Sequence, residues 1–518
     1  MSPPDGFATL PAVFAPQERS AVRTLGATRF ANVENRHEVV PREGNFMPRS
    51  RPSPQMGSSR DAASPPTPTG SDDHPSPVTT HRDIPSVARL FAADTTRQPR
   101  EVVADAIVFG GGVTGLWILD DLTRAGLRVV LFEADALGRG QTVGSQGIIH
   151  GGAKYALDGV LSRAAVAIRE MPVLWRTCLE GRDHPDLQPV ARRAEGCFLW
   201  HTGSIRSRLG WLGAHLGLRV APAGVPDDAL PGILRDFAGA VAWMPEPVVD
   251  PRSLLDVLRS RHHTRILSIV PGSISNVCVR SNGVRFGVSA GTASGTAVQL
   301  HVRAGSVVLA AGTGNARLRQ RFGLSKPLMQ RRPLRMVALR GPLPEFCGHC
   351  VDGATTRVTI TSQRVDEATV VWQIGGRLAE RGATMNPGDL LPLTVQELGA
   401  VLPRLDLQHV EATTYVAVRA ERATPGRRRP SRPAVLAEGP VITVWPTKLA
   451  FAPLAAAEVR RRVALRAREA AATGECDPLD DLPRPNVASF PWDAGNQWTS
   501  LGRYTRDGAA FRSRRRAG

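Results

Sequence analysis

A buried strand running straight into three spaced glycines constrains this chain more than any other feature. Val103-Ala-Asp-Ala-Ile-Val-Phe109 is apolar almost without break, as strands covered on both faces of a parallel sheet are. Gly110-x-Gly112-x-x-Gly115 follows and opens a helix. Gly110 permits the tight turn, Gly112 lets backbone approach a pyrophosphate, and Gly115 lets helix pack closely on strand; the phosphates then lie at the positive helix N-terminus. Leu116, Leu119 and Leu122 give the helix a buried stripe, and Gly126 ends it. Val129-Val-Leu-Phe132 re-enters the sheet. Glu133, about twenty residues past the glycines, is placed to accept hydrogen bonds from an adenosine ribose. Glycine spacing alone carries little weight among 50 glycines, but strand, turn, helix, strand and acid arrive in order. A dinucleotide site follows, with NAD and FAD both open.

Later segments resemble one family. Gly138-Arg-Gly-Gln-Thr-Val-Gly-Ser145, leading into Ile148-Ile-His-Gly-Gly-Ala-Lys-Tyr-Ala-Leu157, resembles the flavin-contacting segment of the D-amino-acid-oxidase superfamily. It is most like the FAD-dependent glycerol-3-phosphate dehydrogenase and 2-hydroxyglutarate dehydrogenase branch. Paired glycines suit backbone that lies against a flat isoalloxazine ring. Val307-Val-Leu-Ala-Ala-Gly-Thr-Gly314 resembles the second flavin-side turn of that superfamily. Tyr415-Val-Ala-Val-Arg419 resembles its aromatic-x-Gly-x-Arg-Pro segment, and Trp445-Pro-Thr-Lys448-Leu its Gly-Gly-Lys-Leu-Thr segment. Ala417 and Ala420 depart from the usual glycine and proline, and Pro446-Thr447 from the usual glycine pair.

The resemblance spans about residues 103 to 460. It implies FAD as cofactor, contacted by Gly110, Gly112, Val113, Thr114, Gly115, Glu133, Ala134, Ser145, Gln146, Gly147, Gly312, Thr447 and Lys448. It implies an α/β fold in which a Rossmann-type FAD-binding domain is interleaved with a mainly antiparallel β substrate domain. FAD-binding segments are expected over 99–175, 243–328 and 413–465, and substrate segments over 176–242 and 329–412. The implied reaction moves a hydride from a small anionic hydroxy- or amino-substituted substrate to flavin N5. Oxygen, a quinone or a carrier protein would then take the electrons. Lys154, Arg419 and Lys448 form the expected cationic set, Tyr155 a substrate hydrogen bond, and His150 either a base or a flavin-side contact. Three other readings remain: an NAD-dependent dehydrogenase, a flavoenzyme acting on RNA, and a flavin-binding protein without turnover.

Composition bears on the same residues. The 65 Lys plus Arg include only three lysines, Lys154, Lys326 and Lys448, and two of the three fall in family motifs. A compact ammonium is not interchangeable with a planar guanidinium, so retention in an arginine-dominated chain points to a chemical need. Two of the three tyrosines, Tyr155 and Tyr415, also lie in motifs.

The first hundred residues contain 15 prolines with many Ser, Thr and Asp, so 1–98 is expected to be a disordered extension. The segment 466–518 is expected to be a basic, partly irregular and loose tail. No apolar run approaches the roughly 20 residues of a membrane helix, and none near the N-terminus has signal-peptide character, so a cytoplasmic protein is expected. The net charge of +18 lies largely in runs such as Arg427-Arg-Arg429 and Arg512-Ser-Arg-Arg-Arg516, without interleaved aromatics, which argues against specific nucleic-acid binding. Cys347-Gly-His-Cys350 has no second ligand pair, so no metal site is expected there; Pro342, Pro344 and Gly353 place it in a surface turn.

Overall fold

The computed structural model describes residues 92–93, 99–151, 168–202, 223–235, 240–291, 296–326, 328–352, 355–467, 477–493 and 495–504. Lys154, Tyr155, nearly all of the N-terminal extension and the terminal arginine run lie outside the described residues.

Five parallel strands form the middle of the first sheet, in the spatial order Ile266–Ser268, Val129–Glu133, Arg100–Phe109, Thr296–Leu309 and Val441–Trp445. The first glycine-bearing strand is therefore central, and strands distant in sequence flank it. On the edge away from Arg100–Phe109, Thr296–Leu309 serves two partners along its 14 residues. Its earlier part carries an antiparallel hairpin, Ser275–Arg280 and Gly283–Gly291, and its last three residues pair with Val441–Thr443. Phe109, Phe132, Phe286 and Phe322 interlock beneath one face, with ring centroids 5.5–6.5 Å apart.

The helix Val113–Arg124 covers the other face, and Leu116, Leu119 and Leu122 are fully buried as the sequence spacing predicts. Each contributes about 1.5–3 kcal/mol by leaving water. Pro251–Arg261 and Ala452–Ala467 pack over this helix, so even its Asp120 has no solvent exposure. Asp120 accepts hydrogen bonds from His262 Nε2 at 2.9 Å and Arg124 Nε at 3.1 Å. Burial alone would raise its pKa, but these donors bring it below the usual carboxylate value. Because the folded pKa is depressed, the linked stability is present above the unfolded value near 3.9 and is lost as pH falls through the folded one. His262→Ala should cost about 1–3 kcal/mol in urea unfolding at pH 7. Unfolding free energies within about 0.3 kcal/mol of wild type would refute this role.

The second sheet is mainly antiparallel. In order it contains Thr499–Ser500, Glu411–Arg422, Met329–Gly341, Val370–Gly375, Thr355–Arg364, Gly348–Asp352, Cys197–His201, Val241–Met244 and Ala223–Gly224. Among the described residues its one parallel pairing joins Gly348–Asp352 to Cys197–His201. Strands from residues 197–244 and 329–422 thus alternate along the chain with those of the first sheet, which is the interleaved α/β architecture. Glu411–Arg422 belongs to this second sheet along its whole length, although its motif was expected on the flavin side.

Two expectations fail. Cys347 and Cys350 do not lie in a surface turn: they are 5% and 0% exposed at the edge of and within the strand Gly348–Asp352. Burial raises the Cys347 pKa and pushes that of Cys350 up to about 12, so both are neutral thiols. The described tail is not loose either. Leu137 N donates to Asn486 O and Ala488 N to Leu137 O, while Ser268 N donates to Pro483 O. Further on, Leu501 N donates to Val410 O beside the Thr499–Ser500 strand. Leu482, Phe490, Trp492 and Leu501 are buried. A proline-rich segment with little secondary structure of its own is held because other elements satisfy its backbone.

Among the described residues no helix is long and apolar enough to cross a membrane.

Candidate functional site

The glycine turn and the second sheet face each other across a cleft of about 550 Å³. On one wall, Gly110 adopts φ +106°, and a Cβ there would stand 2.5 Å from Ala311 Cα. A Cβ on Gly115 would overlap the Gly110 carbonyl oxygen. Gly112 differs: its nearest neighbour would be Thr142 Oγ1 at 3.3 Å, and the residue lines the cleft. Two glycines therefore build the turn and the third leaves room beside it, as a pyrophosphate at the helix N-terminus requires.

Glu133 closes this end. Its carboxylate accepts from Gly111 N at 2.6 Å, Ala134 N at 2.8 Å and Asp135 N at 3.0 Å. Burial raises its pKa, against the effect of those three donors, which favour the charged form. The turn backbone and the acid at the strand end are thus fixed to each other. Ala134 contributes a backbone N–H to that clamp and does not line the cleft; Val113, Thr114, Ser145, Gln146, Gly147 and Gly312 do.

Gln146 ties the central loop to the opposite wall, its Nε2 donating to Thr359 O and Gln373 O, each at 3.0 Å. A buried polar network supports that loop from behind. Tyr415 OH donates to Gly144 O at 3.2 Å and accepts from Gln373 Nε2 at 2.9 Å, while Arg193 reaches Gln373 Oε1 at 3.0 Å and Asp250 Oδ2 at 2.9 Å. Burial drives the Tyr415 pKa far up, so it remains a neutral hydrogen-bonding group.

The departures from the family motifs acquire physical meaning here. Ala420 N donates to Gln141 Oε1 at 3.1 Å, a bond that proline could not make. Thr447 holds φ +65°, a left-handed conformation natural to glycine and strained for a β-branched residue.

Arg419, Arg429 and Lys448 line the cleft. Burial, followed by the neighbouring Arg429 and Arg332 charges, pushes the Arg419 pKa down to about 10. Arg419 Nη1 is buried without a hydrogen-bond partner among the described residues. Lys448 Nζ lies 5.2 Å from the Phe451 ring centroid.

His150 also lines the cleft, and its Nδ1 is 3.2 Å from Glu246 Oε2. His349 Nε2 approaches the same oxygen at 3.9 Å, and Gly151 N donates to Glu246 Oε1 at 2.6 Å. Sequence reasoning missed Glu246 and His349. His349 lies between Cys347 and Cys350, where attention fell on the thiols, and Glu246 sits between two prolines in the chain's return to the first sheet.

The comparisons agree with this geometry. The family model for FAD dependent oxidoreductases matches residues 105–449. The probable FAD-dependent oxidoreductase PA4991 of Pseudomonas aeruginosa is 36% identical over 404 residues, which is 76% of this chain and 99% of that protein. Its crystal structure superposes with a TM-score of 0.62 over 77% of this chain and 99% of that one, at 32% identity. Glycerol-3-phosphate dehydrogenase 1 of Mycobacterium tuberculosis is 30% identical over 203 residues, covering 35% of this chain and 38% of that protein. The family match takes in the glycine turn, Glu133, the Gln146 loop, Arg419 and Lys448, so the NAD-dependent reading falls: the chain belongs to the DAO family of FAD-dependent oxidoreductases.

Proposed function

We propose that the cleft oxidises a small anionic substrate at a carbon bearing a hydroxyl or amino group. Bound FAD supplies the hydride acceptor at N5. The observation that carries the substrate class is Arg419: a half-buried guanidinium whose buried Nη1 is unpartnered among the described residues, and on which Arg429 and Arg332 act more strongly than Glu380 and Glu421, is suited to an anion. A substrate carboxylate or phosphate at Arg419 would satisfy that donor and offset the repulsion from Arg332 and Arg429. Lys448, on the adjacent wall, adds a compact charge that holds the same anion. His150 is the proposed acceptor of the departing O–H or N–H proton, since it lines the cleft and its Nδ1 faces a carboxylate that stabilises the imidazolium. Lys154 and Tyr155 remain proposed substrate contacts.

Anaerobic mixing of the FAD-loaded protein with hydroxy acids, amino acids and glycerol 3-phosphate tests this reading. At least one anionic compound should bleach the flavin, and its uncharged ester or alcohol counterpart should not. Bleaching by the neutral counterparts at equal rates would sink the anionic assignment.

A further inference from the structure

His150, Glu246 and His349 come from three distant segments, yet each offers a ligand atom within 4.8 Å of the others. Their surroundings resemble the support of a metal centre. Glu246 and His349 are each 4% exposed, and burying a carboxylate requires a positive partner. The Gly151 N–H fixes Glu246 Oε1 and turns Oε2 towards the two imidazoles. His349 Nδ1 lies 3.0 Å from Thr359 Oγ1. When that nitrogen donates to the hydroxyl, Nε2 presents its lone pair to the same point, the orienting bond that metal-bound histidines use. Zinc ligands at about 2.0–2.2 Å stand roughly 3.3 Å apart at tetrahedral corners. The separations of 3.2 and 3.9 Å from Glu246 Oε2 lie near this, and the two imidazoles, with ligand atoms within 4.8 Å, would draw together on a bound cation.

We infer that His150, Glu246 and His349 form a site for one first-row divalent cation, with its open coordination position towards the flavin cleft. Two imidazoles and one carboxylate select zinc, iron(II), manganese or cobalt over calcium and magnesium, which prefer all-oxygen shells. Three protein ligands leave a position for water or a substrate oxygen. His150 lies on the cleft side and the other two ligands are deeper, so the open position faces the cleft. This deepens the proposed oxidation: with the cation bound, a metal-held hydroxide would take the substrate proton and become water, relieving His150 of that task.

Equilibrium dialysis of the FAD-loaded, chelator-treated protein against Zn²⁺ or Co²⁺, followed by elemental analysis, tests the site. The expected result is one cation per chain, with cobalt d–d bands of a four- or five-coordinate centre. Glu246→Gln and His349→Gln should lose the stoichiometric cation while retaining FAD, and Thr359→Val should weaken binding by about 10–100-fold. Flavin content shows that each variant is folded. No stoichiometric cation in the wild type, or full binding by both Gln variants, overturns the inference. If substrates still bleach the flavin in that case, the pair is an imidazolium and a carboxylate and the proposed oxidation stands.

Discussion

Arg419→Ala lowers kcat/KM for substrate-driven flavin reduction by roughly 2–5 kcal/mol, about 30- to 5,000-fold, because an anionic group is left unpaired in a desolvated pocket. FAD content should stay at the wild-type level. Arg419→Lys recovers only part of the loss, since an ammonium keeps the charge but not the planar fork. Lys448→Arg should also impair reduction with formal charge unchanged. Lys326 is exposed and outside the cleft, so Lys326→Arg serves as the internal control. The measurement is stopped-flow bleaching of flavin with the best substrate of the panel. A loss below threefold for Arg419→Ala would remove it from substrate recognition, and equal activity in both Lys→Arg proteins would reduce the scarcity of lysine to codon usage.

Substitutions in the glycine turn separate folding from cofactor binding. Gly115→Ala drives a methyl into the Gly110 carbonyl, and backbone cannot yield as a flexible side chain can. A cost of about 3 kcal/mol or more is expected, with little soluble protein. Gly112→Val meets only Thr142 Oγ1 at 3.3 Å, and its bulk enters the cleft. That protein should fold, with a far-ultraviolet circular dichroism spectrum like wild type, but purify colourless. A yellow Gly112→Val protein with full flavin occupancy would show that the pyrophosphate does not pass over this residue.

The first strand–helix–strand unit of the first sheet was legible because its information is local. Val103–Phe109, the glycines, the Leu116 stripe and Glu133 lie within about thirty residues, where strand and helix periods can be read directly. The residues that line the cleft beside the glycine turn followed from that unit plus motifs with fixed residue types. The second sheet was legible as strands but not as neighbours, because pairing Glu411–Arg422 with Met329–Gly341 is a long-range event with no local signature. The Glu246 group was hidden for the same reason: its members are 96 and 103 residues from their partners, at positions 150, 246 and 349. The C-terminal strap was misread as loose because basic, irregular composition describes what a segment cannot do alone. Its order comes from Leu137, Ser268 and Val410, which supply bonds that composition cannot reveal.

The strap and the central position of Arg100–Phe109 also set how much of the chain the cleft requires. The glycine strand meets one neighbour, Val129–Glu133, within about thirty residues, but its other neighbour is Thr296–Leu309, the sheet is completed only by Ile266–Ser268 and Val441–Trp445, and the cleft also needs Lys448. The segment that latches Leu137 and Val410 lies further along the chain than Val441–Trp445. A chain that stops short of Val441–Trp445 therefore cannot form the complete cleft. A complete flavin cleft therefore depends on pairings that join segments more than three hundred residues apart.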